Sequence, residues 1–460
     1  MTRLLVAATA ADVLSRIKDG GLDLSLADRA IGLLGIAVMI GIAWLISYDR
    51  KHIPWRLVGT GLLLQAAFGV VVLKTAAGRW FFERVGEIVN GLLGFATVGA
   101  RFIFGNLVQS DLPVGVPSLT GGPLDVTAGY VANAGAFFAF AVLPTIIFFS
   151  SLMSVLYHLG VMQIVVKAIA WVMQRSLGTS GAETLSASGN IFLGQTEAPL
   201  LIKPFVKTMT PSELNTVMVG GFATVAGGVL AAYTLMLQGI FPSIAGHLLA
   251  ASVMNAPAGL LLSKIIRPED GVPVSKDSLH ISVEKPDANV IEAAASGAGV
   301  GVQLALNVGG MLMAFIALVA MLNFGVGWLG GLVNHPDLTI QAILGTALRP
   351  LAWVMGVPWA DTSYVGGLIG IKTTLNEFVS YAQFAGDLKS NAVAIQPRSA
   401  VILAYALLGF ANLSSIGIQI GGIGGLAPER RSEIARFGLR AMVAGNLAAF
   451  MSATLAGMLL

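Results

Sequence analysis

Two glutamates are the residues best placed to do chemistry in this chain. Glu197 lies in Gly194-Gln195-Thr196-Glu197, and Glu377 lies 180 residues later in Leu375-Asn376-Glu377-Phe378. Both sit among long apolar stretches. A carboxylate at membrane depth is costly unless it faces a cavity or a partner. Two carboxylates can serve as general acid and base, or they can accept hydrogen bonds from a polar solute. No nucleophile, metal cluster or phosphate loop accompanies them, which argues against an enzyme. A plainer role is an ion pair, Glu377 with Lys372 or Glu197 with Lys203.

The surroundings of the glutamates are duplicated. Ala170-Trp171-Val172-Met173 returns as Ala352-Trp353-Val354-Met355, and Gly221-Phe222-Ala223-Thr224 is matched by Gly409-Phe410-Ala411-Asn412. The three matches keep their order, at offsets of 180 to 188 residues. A duplicated unit with one carboxylate per copy is how many transporters build a solute site.

Composition sets the class. Of 460 residues, 55% are hydrophobic and 11% charged, against about 25% charged in soluble domains. Mean hydropathy is +0.81. The chain is therefore an integral membrane protein. A net charge of +3 gives no reason to expect a nucleic-acid partner. The absence of cysteine excludes disulfides and thiol catalysis. The histidines (52, 158, 247, 280 and 335) lack metal-ligand spacing. Met1 to Ala11 is too short an apolar run for a signal peptide and reads as a weakly structured lead-in.

A crossing helix needs about 20 apolar residues. Eight segments qualify: 31–48, 57–75, 132–158, 212–238, 240–263, 298–330, 399–420 and 438–459. The basic loop Arg50-Lys51-His52 to Arg56 places the first connection in the cytoplasm, so both termini face the periplasm or exterior. Gly78 to Gly105 carries Arg79, Glu83, Arg84, Glu87 and Arg101 and reads as an amphipathic interfacial helix, with a ninth span as the alternative. Residues 106–130 read as an external loop, and 267–290 as a cytoplasmic one.

Residues 181–206 and 361–386 resist assignment as spans. Each has apolar pieces of about ten residues around a polar centre, which suits a re-entrant hairpin. Three crossings separate the two Gly-Phe-Ala motifs, so the copies run oppositely through the membrane and the glutamate-bearing tips converge near its middle. Gly220-Gly221, Thr224 and Gly227-Gly228 in span four predict local unwinding, as do Asn412, Ser414, Ser415 and Gly417 in span seven. Close packing through small residues is the alternative for the glycines. The repeat places Thr224 and Asn412 at matching positions.

At these residues the sequence resembles the concentrative nucleoside transporter family, bacterial and sodium-coupled in type. Two motifs carry the resemblance. One is Ser188-Gly189-Asn190-Ile191-Phe192-Leu193-Gly194-Gln195-Thr196-Glu197-Ala198-Pro199. The other is Gly370-Ile371-Lys372-Thr373-Thr374-Leu375-Asn376-Glu377-Phe378-Val379, followed by Ser380 where many members have Ala.

The resemblance implies an all-α polytopic protein with eight transmembrane helices and two re-entrant hairpins. It implies a scaffold part at 1–160, a first transport repeat at 161–265, a loop and scaffold span at 266–335, and a second repeat at 336–460. It also implies a homotrimer in the bacterial inner membrane, carrying nucleosides such as uridine, cytidine or adenosine inward, and no organic cofactor. Gln195, Thr196 and Glu197 would face the nucleobase, with Val229 lining the pocket. Glu377, Asn412 and Ser415 would take the ribose hydroxyls, and Phe410 would pack on the solute. Sodium, the favoured coupling ion, would be held by Asn190, Leu193, Thr224 and Val225. Some relatives couple to protons instead, and that alternative stays open.

Overall fold

A computed structural model describes residues 26–109, 111–116, 125–133, 138–276, 287–332, 334–390 and 392–459. The N-terminal lead-in and part of the 267–290 loop lie outside these residues. Among the described residues seven helices are long and apolar enough to cross a membrane, as a multi-pass protein requires.

The first two expected spans fall on α1 (Leu26–Leu45), which is not one of these seven, and α2 (Trp55–Lys74), which is. The segment read as interfacial is one continuous helix, α3 (Ala76–Phe104), which by length and hydropathy also suffices to cross. The expected loop at 106–130 is instead partly paired. Strands β1 (Asp111–Val116) and β2 (Asp125–Asn133) run antiparallel, with Asp111 opposite Asn133 and an irregularity between Pro113 and Gly115. Val126, Thr127, Tyr130 and Val131 favour extended backbone, and the proline lies beside the irregularity, where the ladder tolerates it. The other regular elements among the described residues are helical. Among the described residues the third span is a π turn (Phe138–Val142) leading into α4 (Leu143–His158).

The next elements come twice in one order. The first set is α5 (Val161–Leu177), α6 (Gly181–Gly189), a 3-10 turn (Ala198–Ile202) with α7 (Lys203–Val206), α8 (Pro211–Ala223), α9 (Gly227–Leu237) and α10 (Ile244–Ile266). After α11 (Val290–Gly331) come α12 (Ile340–Val354), α13 (Thr362–Thr374), α14 (Glu377–Lys389), α15 (Pro397–Leu407), α16 (Leu413–Leu426) and α17 (Arg431–Leu459). Helix α11 has 42 residues, about 63 Å at 1.5 Å per residue, so it projects well beyond the hydrocarbon layer. Helices α5 and α12 were not anticipated. Lys167 and Arg349 with Pro350 interrupt their apolar pattern, and both are too short to cross.

Spans four and seven are both broken, at residues 224–226 and 408–412. The second interrupted segment is a helical hairpin. Ser380 donates to the Leu368 carbonyl and Tyr364 to Asp387, each at 2.9 Å, so its arms run antiparallel from a tip at Leu375-Asn376. In the first, the Gly189 backbone lies against Leu201 and Ala198 of the returning arm.

Each hairpin is tied at its base to the start of a broken helix. Ser180 Oγ donates to Glu213 Oε1 at 2.5 Å in the first copy. Ser399 Oγ donates to Asp361 Oδ2 at 2.5 Å in the second, with acid and serine exchanged between the elements. Capping boxes at Ser180/Glu183 and Thr210/Glu213 fix where α6 and α8 begin.

Burial separates an inner group of helices from an outer one. The most apolar stretches of Pro211–Leu237, Ile244–Ile266 and Pro428–Leu459 are 94%, 89% and 83% buried. Those of Trp55–Lys74, Phe138–His158 and Val290–Gly331 are only 28%, 28% and 17% buried.

Candidate functional site

The breaks in spans four and seven lie against each other. Phe410 N–H donates to the Thr224 carbonyl at 3.3 Å. Gly409 has φ +115°, and a Cβ there would lie 2.7 Å from the Phe222 carbonyl oxygen, so only glycine permits this approach. Unwinding frees carbonyls that need partners. Asn255 on α10 donates to the Ala223 carbonyl at 2.7 Å, and Asn446 on α17 donates to that of Ala411 at 2.8 Å. This matched pair escaped the sequence reading. Its spacing of 191 residues, close to the repeat offset, was the available signal.

The expected equivalence of Thr224 and Asn412 does not hold. Helix α8 continues through Gly221-Phe222-Ala223, whereas Gly409-Phe410-Ala411 is already unwound. Thr224 therefore closes a half-helix, and Asn412 opens one as the N-cap of α16, accepting from Ser415 N–H at 2.9 Å. The left-handed Gly409 ends the helix early. Lys372 Nζ takes up freed carbonyls of Ala406 and Leu408, at 2.7 and 3.2 Å.

Four of the anticipated site residues join in one polar chain. Gln195 Nε2 donates to Ser415 Oγ at 3.2 Å. Ser415 is held by Asn412, and Asn412 Nδ2 donates to Glu377 Oε2 at 2.9 Å. The chain runs from the first hairpin, through the break in span seven, to the second hairpin. Two unanticipated residues extend it. Tyr233 OH donates to Glu377 Oε1 at 3.1 Å, and Gln419 Nε2 to Gln195 Oε1 at 3.2 Å. Each lies four residues beyond an anticipated one, Val229 and Ser415, and so shares its helix face.

The remaining anticipated residues are placed as follows. Thr196 packs on α16, where a Cβ on Gly422 would lie 2.6 Å from Thr196 Cγ2. Val229 is fully buried in the first turn of α9, and Phe410 is half-buried in the break. Glu197 curls back to accept from Gly194 N–H at 3.1 Å. It also lines a cavity of about 740 Å³ shared with Tyr157 of α4 and Val300 of α11. The two glutamates thus have different partners, and the tips are joined through Gln195 rather than Glu197. Among the described residues no ion pair joins Glu197 to Lys203 or Glu377 to Lys372.

The turn that carries Asn190 and Leu193 touches the break that carries Thr224 and Val225. Gly227 N–H donates to the Phe192 carbonyl at 2.9 Å, pulling the turn at 190–193 onto the break at 224–226. Asn190 packs beside Gly220, where a Cβ would lie 3.2 Å from Asn190 Nδ2, and the Gly220 carbonyl accepts from Thr224 Oγ1 at 2.9 Å. Asn190 is fully buried, and both its Oδ1 and its Nδ2 lack a protein partner. A buried amide oxygen without a partner, on a turn that touches an unwound break, has the neutral oxygen chemistry that fits Na⁺.

Broken helices crossing at a polar centre, in a chain of apolar helices built from two similar sets, define the class as a secondary transporter. The chain belongs to the Na⁺ dependent nucleoside transporter family. The family's N-terminal region matches residues 34–107, its C-terminal region residues 247–457, and a nucleoside recognition region residues 139–240. It is a family of transporters, not enzymes.

An uncharacterized transporter of Haemophilus influenzae is 43% identical, with 93% of this chain and 96% of that protein covered. The nucleoside permease NupC of Helicobacter pylori is 41% identical over the same shares. The solved structure of CNTnw in an inward-facing substrate-bound state is 45% identical, with a TM-score of 0.82 over 94% of this chain and 97% of that one. An outward-facing variant of CNTnw is 44% identical, with a TM-score of 0.84 over 95% and 98%.

Proposed function

We propose that the protein is a sodium-coupled symporter that carries nucleosides into the cell by alternating access. The observation that carries this reading is the polar chain Gln195–Ser415–Asn412–Glu377, which joins the two hairpins through a broken helix. The existence of inward-facing and outward-facing CNTnw structures supports the alternating-access part.

Glu377 accepts from the ribose hydroxyls beside Asn412 and Ser415, and Phe410 packs on the solute. Gln195, Thr196 and Glu197 address the nucleobase, with Val229 closing the pocket. Asn190, Leu193, Thr224 and Val225 hold sodium against the first hairpin, and this orders the neighbouring Gln195-Thr196-Glu197 turn. Each solute then tightens the other by linkage. Uridine, cytidine and adenosine are the substrates to test.

The repeats at 161–265 and 336–460 form the moving part. Residues 1–160 and 266–335 form the scaffold, with α3 lying along the interface. The exposed face of α11 meets lipid and the other subunits of a homotrimer in the bacterial inner membrane, and both termini face outward.

The unpartnered Asn190 favours sodium over protons. Uptake of labelled uridine and adenosine into proteoliposomes tests the assignment. A sodium gradient should drive accumulation. Uptake driven by a pH gradient in sodium-free buffer would replace sodium with the proton.

A further inference from the structure

The two repeats treat the junction between hairpin and broken helix differently. In the first, Asn190 stands at the C-cap position of α6 and its side chain packs beside Gly220 of the broken span. Its amide is fully buried and unpartnered. In the second, Lys372 lies in the last turn of α13 and reaches the broken span at Ala406 and Leu408. It too is fully buried, but it is partnered. Asn190 and Lys372 are 182 residues apart, within the range of offsets that relates the repeats.

The surroundings of Lys372 are those of a bound cation. Its Nζ faces two carbonyls at the C-terminal end of the half-helix α15, the negative end of that helix's dipole. The ring of Phe450 on α17 lies 5.6 Å from Nζ, within cation–π range. Unwound carbonyls at half-helix ends are also the ligands that transporters use for free cations. Glu377, five residues on, is already bonded to Tyr233 and Asn412.

We propose that the Lys372 ammonium is a tethered cation, filling in the second repeat the place that sodium takes in the first. One free ion and one fixed ion would then brace the two broken helices. This inference rests on the sodium reading of Asn190, and it explains why a symmetric scaffold would use only one exchangeable ion.

The test compares wild type with Lys372→Asn, which installs the first repeat's residue, and with Lys372→Arg, which keeps the charge. Fluxes of labelled sodium and uridine are measured in proteoliposomes. Lys372→Asn should raise the ratio of sodium to uridine from about one to about two and steepen the sodium dependence, while Lys372→Arg should not. If Lys372→Asn does not transport, its sodium-dependent rise in Tm takes over as the readout. That rise should persist in the double variant Asn190→Ala/Lys372→Asn and vanish in Asn190→Ala alone.

A wild-type flux ratio in Lys372→Asn would overturn the proposal. So would loss of the sodium effect in the double variant, or failure of Lys372→Asn to fold in saturating sodium. A wild-type protein indifferent to sodium would instead remove the Asn190 reading, and this inference with it.

Discussion

Asn412 donates to Glu377 across 2.9 Å while its own Oδ1 caps the helix that follows. One side chain therefore ends the break in span seven and fixes the carboxylate of the second hairpin. With Tyr233 on the other oxygen, Glu377 is held by two donors from two different spans. Both oxygens of the carboxylate are thus oriented by donors of the protein itself.

Glu377→Gln keeps the shape and removes the charge. Hydrogen bonds to charged groups contribute about 2 kcal/mol, so nucleoside binding should weaken roughly thirtyfold. Equilibrium binding of uridine in saturating sodium measures this, and unaltered affinity would take Glu377 out of the site.

Asn190→Ala removes two buried polar atoms that have no protein partner. In sodium-free buffer Tm should stay the same or rise, because nothing satisfied is lost. The sodium-induced rise in Tm should disappear. A variant with lower Tm without sodium and a normal response to it would show that Asn190 is structural.

The matched asparagines give a separate expectation for stability. Asn255→Ala or Asn446→Ala leaves a buried carbonyl, of Ala223 or Ala411, without its donor. Each should cost about 1–3 kcal/mol. Thermal unfolding in detergent checks this, and a shift confined to one of the two variants would break the equivalence of the breaks.

Lys264 is the buried cation at the base of the first hairpin, 2.8 Å from Glu183, with side-chain exposures of 4% and 1%. Lys264→Met strands a buried carboxylate and should destabilise by about 3–5 kcal/mol. Lys264→Met/Glu183→Gln should recover much of this. Equal loss in the single and double variants would mean that the packing of Lys264, not its charge, matters.

Loop and strand assignments show where local reading stopped. Residues 106–130 read as a loop, yet Asp111–Val116 pairs with Asp125–Asn133. Helices α5 and α12 are amphipathic and short, so hydropathy along the chain does not mark them. Their apolar faces gain definition only from the neighbours they cover.

The sequence by itself determined the membrane class, the duplication, the two breaks and the polar turns at Glu197 and Glu377. All of these follow from hydropathy and from glycine and polar interruptions, which act over a few residues. Tertiary structure decided which side chains meet. Gln195 and Ser415 are 220 residues apart, and Tyr233 and Glu377 are 144 apart. Such pairs depend on where whole helices cross, as does the unwinding of Gly409-Phe410-Ala411 where its twin stays helical. A hydrogen bond acts over about 3 Å, and no pattern along the chain fixes distant atoms to that tolerance.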